Sequence, residues 1–161
     1  MSRSVLFSAC LTLGVFLASA PAAAQEPMSE ETMEAVGAAD LTFEDIEVPG
    51  FLPGMQITGV YGDPSVADEP YTLRLLLPEG YRFPPHFHPR AENVTVLEGS
   101  FHLAMGDAYD EDALVTYGPG DYLFIAPENP HFGKATARTI LQLHGVGPFD
   151  ITVVEGQEMT E

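Results

Sequence analysis

Two histidines one residue apart, His86 and His88, form the first gathering of metal-binding side chains in this 161-residue chain. On extended backbone alternate residues share a face, so both imidazoles point the same way and make half of a metal site. Glu92 follows four residues later, at the same parity if the strand continues, and brings a carboxylate. Imidazole nitrogen suits borderline transition metals, and the carboxylate adds the negative charge that a divalent cation favours. The segment reads Gly80-Tyr81-Arg82-Phe83-Pro84-Pro85-His86-Phe87-His88-Pro89-Arg90-Ala91-Glu92, with six residues before Gly99.

That spacing resembles the first motif of the cupin superfamily and meets every position of it: Gly80, five residues, His86-x-His88, three residues, Glu92, six residues, Gly99. A later stretch is similar to the second cupin motif, with Gly120-Asp121, the apolar run Tyr122 to Ala126, Pro127 and His131. It departs from the strict pattern in three places: Pro127 is one position late, and Glu128 and Ala135 stand where a glycine and an asparagine are expected. The resemblance spans roughly residues 55–155. It implies a cupin-type double-stranded β-helix, a jelly-roll barrel, with one divalent transition-metal ion held by His86, His88, Glu92 and His131. Fe, Mn, Ni, Co, Cu and Zn all suit this donor set, and four protein ligands leave positions for water or substrate on an octahedral ion. By resemblance the chain acts on a small organic molecule as a dioxygenase, isomerase, epimerase or decarboxylase, or else captures a small ligand or metal without turnover. A homodimer also accords with the resemblance.

The elements around these residues read as β-structure. Beyond Pro49 short apolar runs alternate with Gly-, Pro- and Asp-rich breaks, the pattern of an all-β sandwich or barrel. Strands are predicted over residues 55–61, 71–77, 92–97, 100–105, 122–126, 138–143 and 151–155, and no stretch there has the length and period of a helix. Residues 25–48 form an acidic, mostly polar arm, short and partly ordered, ahead of one domain over 49–161.

Gln142 and His144 share a parity in the run from Ile140 to His144. If that parity faces the site, they orient substrate or shuttle protons; if it faces solvent, they are ordinary surface residues. Arg74 is an isolated charge in an apolar strand, suited either to a substrate carboxylate or to a solvent-facing position. The aromatics Tyr81, Phe83, Phe87, Phe101, Phe124 and Phe132 are suited to lining an apolar pocket, but in a barrel this small aromatics belong mostly to the core. Asn93-Val94-Thr95 matches a glycosylation acceptor but falls inside the motif strand, and the acids Asp107, Asp110, Glu111 and Asp112 lack the alternation and glycine of a calcium loop.

Arg3, the apolar run Val5 to Ala20 and the small residues Ala22-Ala23-Ala24 read as an export leader over residues 1–24, cleaved near Ala24. The apolar run is shorter than the roughly 20 residues of a membrane span, so the mature protein is expected in the periplasm or outside the cell with no membrane attachment. Cys10, the single cysteine, departs with the leader, and no disulfide remains. Twenty-four acidic residues against 6 basic ones give a formal charge of −18, which excludes nucleic acid as a partner, since a phosphate backbone needs a basic surface. A small molecule is the expected partner.

Overall fold

In the computed structural model, which describes residues 33–159, buried and exposed side chains alternate along short strands, as they do where one face of a sheet is packed and the other solvated. In chain order the strands are β1 (Glu44–Asp45), β2 (Gln56–Tyr61), β3 (Pro70–Leu77), β4 (Arg82–Phe87), β5 (Glu92–Glu98), β6 (Phe101–Met105), β7 (Val115–Tyr117), β8 (Tyr122–Ile125), β9 (His131–Ala135), β10 (Thr139–Val146) and β11 (Thr152–Val153). Two single-turn 3₁₀ segments, Ala38–Asp40 and Glu111–Ala113, complete the regular structure. The predicted leader and the first residues of the arm lie outside the described residues. No helix among the described residues is long and apolar enough to cross a membrane.

All pairings are antiparallel, and they form one sheet in the order β1-β2-β3-β10-β5-β8 and another in the order β11-β4-β9-β6-β7. The closed jelly-roll barrel expected from the resemblance is not formed. Closure requires every strand to be paired on both sides, whereas both orders are linear, with β1 and β8 at the edges of the first sheet and β11 and β7 at the edges of the second. The edge strands β1 and β11 have two residues each and β7 has three, too few to carry a ladder from one sheet to the other. The architecture is two open antiparallel sheets facing each other across a shared core.

Leu73, Val96, Leu141 and Leu143 of the first sheet and Phe83, Phe101 and Leu103 of the second belong to that core. Phe83 and Phe101 stack with ring centroids 5.9 Å apart. Burial of each such side chain stabilises the fold by about 1.5–3 kcal/mol before conformational entropy is subtracted.

Every strand predicted from sequence has a counterpart, but β1, β4, β7 and β9 form where no strand is predicted. Strand β4 contains Pro84 and Pro85, which have no N–H to donate, and its pairing with β9 slips between Phe83 and His86. Opposite it, Gly133 of β9 leaves room that any side chain would fill: a Cβ there would overlap the His102 carbonyl oxygen and press on the Phe83 ring. Gly99, the last glycine of the first motif, turns the chain from β5 into β6 at φ 88°, and a Cβ on it would meet the Arg138 carbonyl oxygen.

Candidate metal centre

His86 lies near the end of β4, His88 one residue beyond it, and His131 opens β9 beside them, so all three come from the second sheet. The strand that the parity argument needs stops at Phe87. Glu92 therefore does not follow the histidines on one strand; it opens β5 and reaches them from the facing sheet.

All four are buried, with 6, 4, 6 and 2% of the surface of His86, His88, Glu92 and His131 exposed. The imidazole centroids are 4.3 Å (His86–His131), 5.0 Å (His86–His88) and 5.3 Å (His88–His131) apart, and one ring nitrogen from each lies within 4.8 Å of the others. Glu92 Oε2 is 3.5 Å from His88 Nε2 and 3.4 Å from His131 Nε2. Two donors about 2.1 Å from one ion and at right angles to each other stand roughly 3.0 Å apart, so these gaps are near those of a shared cation.

The backbone sets the state of each ring. His86 Nδ1 lies 2.8 Å from the Pro84 carbonyl oxygen, His88 Nδ1 2.8 Å from that of Asp150, and His131 Nδ1 3.0 Å from that of Asn129. A carbonyl only accepts, so each Nδ1 carries the proton and donates it, and each Nε2 is left with its lone pair. His88 Nε2 is buried with no hydrogen-bond partner. Three lone pairs beside a buried carboxylate repel one another and lack donors, an arrangement that a cation relieves. The residues fit a metal, and the triad His86, His88 and His131 can hold one.

The electrostatics agree. Burial, reinforced by the neighbouring His131 and His88, holds the His86 imidazole well below its ordinary 6.5, and burial lowers His88 too, against the opposing pull of Glu92. Both are bases kept neutral and ready to ligate at neutral pH.

Gln142 and His144 are not brought to this cluster. In β10 it is Leu141 and Leu143 that line the cavity and Gln142 and His144 that alternate to the opposite face. There Gln142 Oε1 accepts from Arg74 Nε at 3.2 Å, and the His144 carbonyl accepts from Asn93 Nδ2 at 2.9 Å. Arg74 shares that outward parity and so lies away from the centre. His102, on the second sheet, has its ring nitrogens 2.9 Å from the hydroxyls of Thr116 and Thr136.

Other neighbours of the centre carry no signal in the sequence. Phe149 stacks on His88 at 4.7 Å, and Phe51 meets His86 edge-on at 5.0 Å. Both come from segments outside the central strands and wall a cavity that the three histidines and Glu92 also line. His86 and His131 each bond the carbonyl two residues earlier, a local geometry, whereas the Asp150 carbonyl reaches His88 from 62 residues away and leaves no trace in the sequence near it.

Residues 73–146 match the family model described as Cupin domain. The chain carries a cupin domain over these residues. Solved structures share the fold of this cupin at low sequence identity. The polyketide cyclase RemF from Streptomyces resistomycificus is 24% identical with a TM-score of 0.64, the match covering 79% of this chain and 89% of that one. An acetylacetone dioxygenase from Acinetobacter johnsonii is 14% identical with a TM-score of 0.57, over 84% and 87% of the two chains. KdgF from Halomonas sp. is 19% identical with a TM-score of 0.55, over 72% and 96%. No curated protein matches the sequence.

Proposed function

We propose that this cupin holds one divalent transition-metal ion through His86, His88, Glu92 and His131 and is a metal-dependent enzyme, an oxygenase or an isomerase, acting on a small organic molecule. The observation that carries this reading is the convergence of three Nε2 lone pairs and a buried carboxylate in an otherwise apolar cavity. A metal site sealed by protein on all sides reads as structural, while one that opens on a cavity leaves positions for a substrate. A divalent ion bound there supplies Lewis acidity to an oxygen of the substrate. The chain's own residues do the rest: the carbonyls of Pro84, Asn129 and Asp150 fix the rings, Phe51 and Phe149 exclude water, and Glu92 is the cavity group that can accept a proton, at a carboxylate oxygen. Two structures of the same fold are enzymes by name, a polyketide cyclase and an acetylacetone dioxygenase, which supports a catalytic reading. The leader-like residues 1–24 support export to the periplasm or beyond.

A second reading, capture of a small ligand or metal without turnover, is favoured by one feature: apart from the three histidines and Glu92, no side chain among the described residues lining the cavity can exchange a proton. The two readings separate in one experiment. The protein is loaded in turn with Fe, Mn, Ni, Co, Cu and Zn, and each form is assayed for oxygen uptake and for isomer conversion with small organic molecules. Metal-dependent turnover in one form, absent from His131→Ala, is expected; saturable binding with no turnover in every form establishes capture instead.

A further inference from the structure

The walls of the cavity specify what it holds more narrowly than its metal-binding residues do. Beyond His86, His88, Glu92 and His131, every lining side chain is aliphatic, aromatic or a thioether, contributed by both sheets and by the segments on either side of them; Val94, Leu141 and Phe101 are typical. Among the described residues no hydroxyl, amide, amine or guanidinium enters. Arg74, the cation that could have met a substrate carboxylate, lies on the outer face of the first sheet bonded to Gln142.

A polar group on the bound molecule away from the histidines would lose its water and find no partner, and binding would weaken for each such group. A charged group would be opposed far more strongly. Polyols, sugar acids, amino acids and phosphate esters distribute such groups along their length and are rejected by these walls. A compact hydrocarbon body whose oxygens sit together at one end meets no such opposition, because its oxygens face the donor cluster and its body faces Phe101, Val94 and Leu141.

We infer that the molecule held at this site is small and apolar, with its oxygen donors confined to the end that faces His86, His88 and His131. The inference rests on the metal-centre reading proposed above, and the experiment keeps the two apart. The protein is loaded with Co(II), and loading is followed by the visible spectrum of the ion. Propionohydroxamic acid and its 3-hydroxy analogue, which share a chelating end and differ by one distal hydroxyl, are then titrated by calorimetry and by the Co(II) spectrum. The same two acids are titrated against Co(II) free in solution, which gives the difference in their intrinsic chelation. An apolar pocket discriminates against a lone added hydroxyl by roughly 10–100-fold, so the unsubstituted acid is expected to bind the loaded protein tighter by that factor once the intrinsic difference is divided out. Normal loading with equal affinities, with tighter binding of the hydroxylated acid, or with binding of neither, overturns the substrate class and leaves the metal site standing. Failure of Co(II) to load in the wild type overturns the metal reading and the inference with it.

Discussion

The two sheets of this cupin divide its work unequally. The first, built on β3, β10 and β5, presents alternating faces, Leu141 and Leu143 inward and Gln142 and His144 outward, and its two register slips, at Gly59/Tyr61 and Ile140/Leu141, fall where it carries no histidine of the centre. The second carries all three histidines, and it is irregular where it carries them: β4 contains two prolines and slips against β9, and β9 contains a glycine that no other residue can replace without overlap. Irregularity here has a use. Pro84 has no N–H for the ladder, and its carbonyl is bonded to the His86 ring, while the slip brings His86 opposite His131. Both sheets wall the cavity and the first brings Glu92 to it, but the three histidines are aimed by the second.

This division can be broken at its strongest point on either side. Leu141→Ala in the first sheet is expected to lower stability by about 2–5 kcal/mol through the cavity it leaves, while the folded fraction keeps metal binding. Gly133→Ala in the irregular sheet is expected to lower stability by about 1–3 kcal/mol through overpacking and to weaken metal binding as well, because β9 must shift and His131 with it. Denaturant unfolding beside metal titration measures both. If Leu141→Ala removed metal binding while Gly133→Ala spared it, the division would be wrong.

Glu92 is the point where the sheets meet, and its contribution is separable. Glu92→Gln keeps the shape and removes the charge, so metal affinity is expected to fall by about 10–100-fold. The metal-free form is expected to be unchanged or slightly more stable, because a buried charge without a cation partner is relieved. A Tm for metal-free Glu92→Gln well below that of the metal-free wild type would contradict this account.

The pH dependence follows from the histidines. His86 and His88 are depressed below 6.5 in the folded protein, so as pH falls past 6.5 the unfolded chain takes up protons before the folded one does. Stability of the metal-free protein is therefore full above 6.5 and declines as pH drops from there toward the depressed values. Urea unfolding at steps between pH 7.5 and 4.5 checks the sign, with a His86→Ala variant expected to show a shallower decline.

The smallest effect lies in the turn before His131. Glu128 stands where the family pattern has glycine, yet its backbone keeps the left-handed conformation at φ 57°, and its N–H donates to the His88 carbonyl at 2.8 Å. Glu128→Gly removes the side-chain penalty and is expected to raise stability by about 0.5–1 kcal/mol without changing metal content. A loss of stability would show that the Glu128 side chain holds the turn in some other way.

How much of this the sequence discloses also differs between the sheets. In the first sheet β2, β3, β5, β8 and β10 all follow from apolar runs between Gly-, Pro- and Asp-rich breaks, but the sequence leaves the parity of Gln142 and His144 open to either face, and it is the packing of Leu141 and Leu143 against the core that puts them outside. In the second, β4 and β9 escape the same reading, because Pro84 and Pro85 look like loop and Gly133-Lys134 interrupts the apolar pattern. The motif spacing nevertheless identifies His86, His88, Glu92 and His131, since it records positions rather than periodicity. It does so for a partly mistaken reason in the case of Glu92, which converges from the opposite sheet. The open sheets, the Asp150 carbonyl behind His88 and the Phe149 ring upon it depend on contacts between distant segments that no local pattern encodes.

The central claim is that the four converging side chains hold a metal ion, and elemental analysis of the purified protein, beside a His86→Ala/His131→Ala double variant, tests it most directly. About one equivalent of a divalent transition metal per chain in the wild type and its loss from a still folded variant is the expected result. No metal in the wild type after reconstitution with Fe, Mn, Ni, Co, Cu and Zn in turn, or equal content in both proteins, would contradict it.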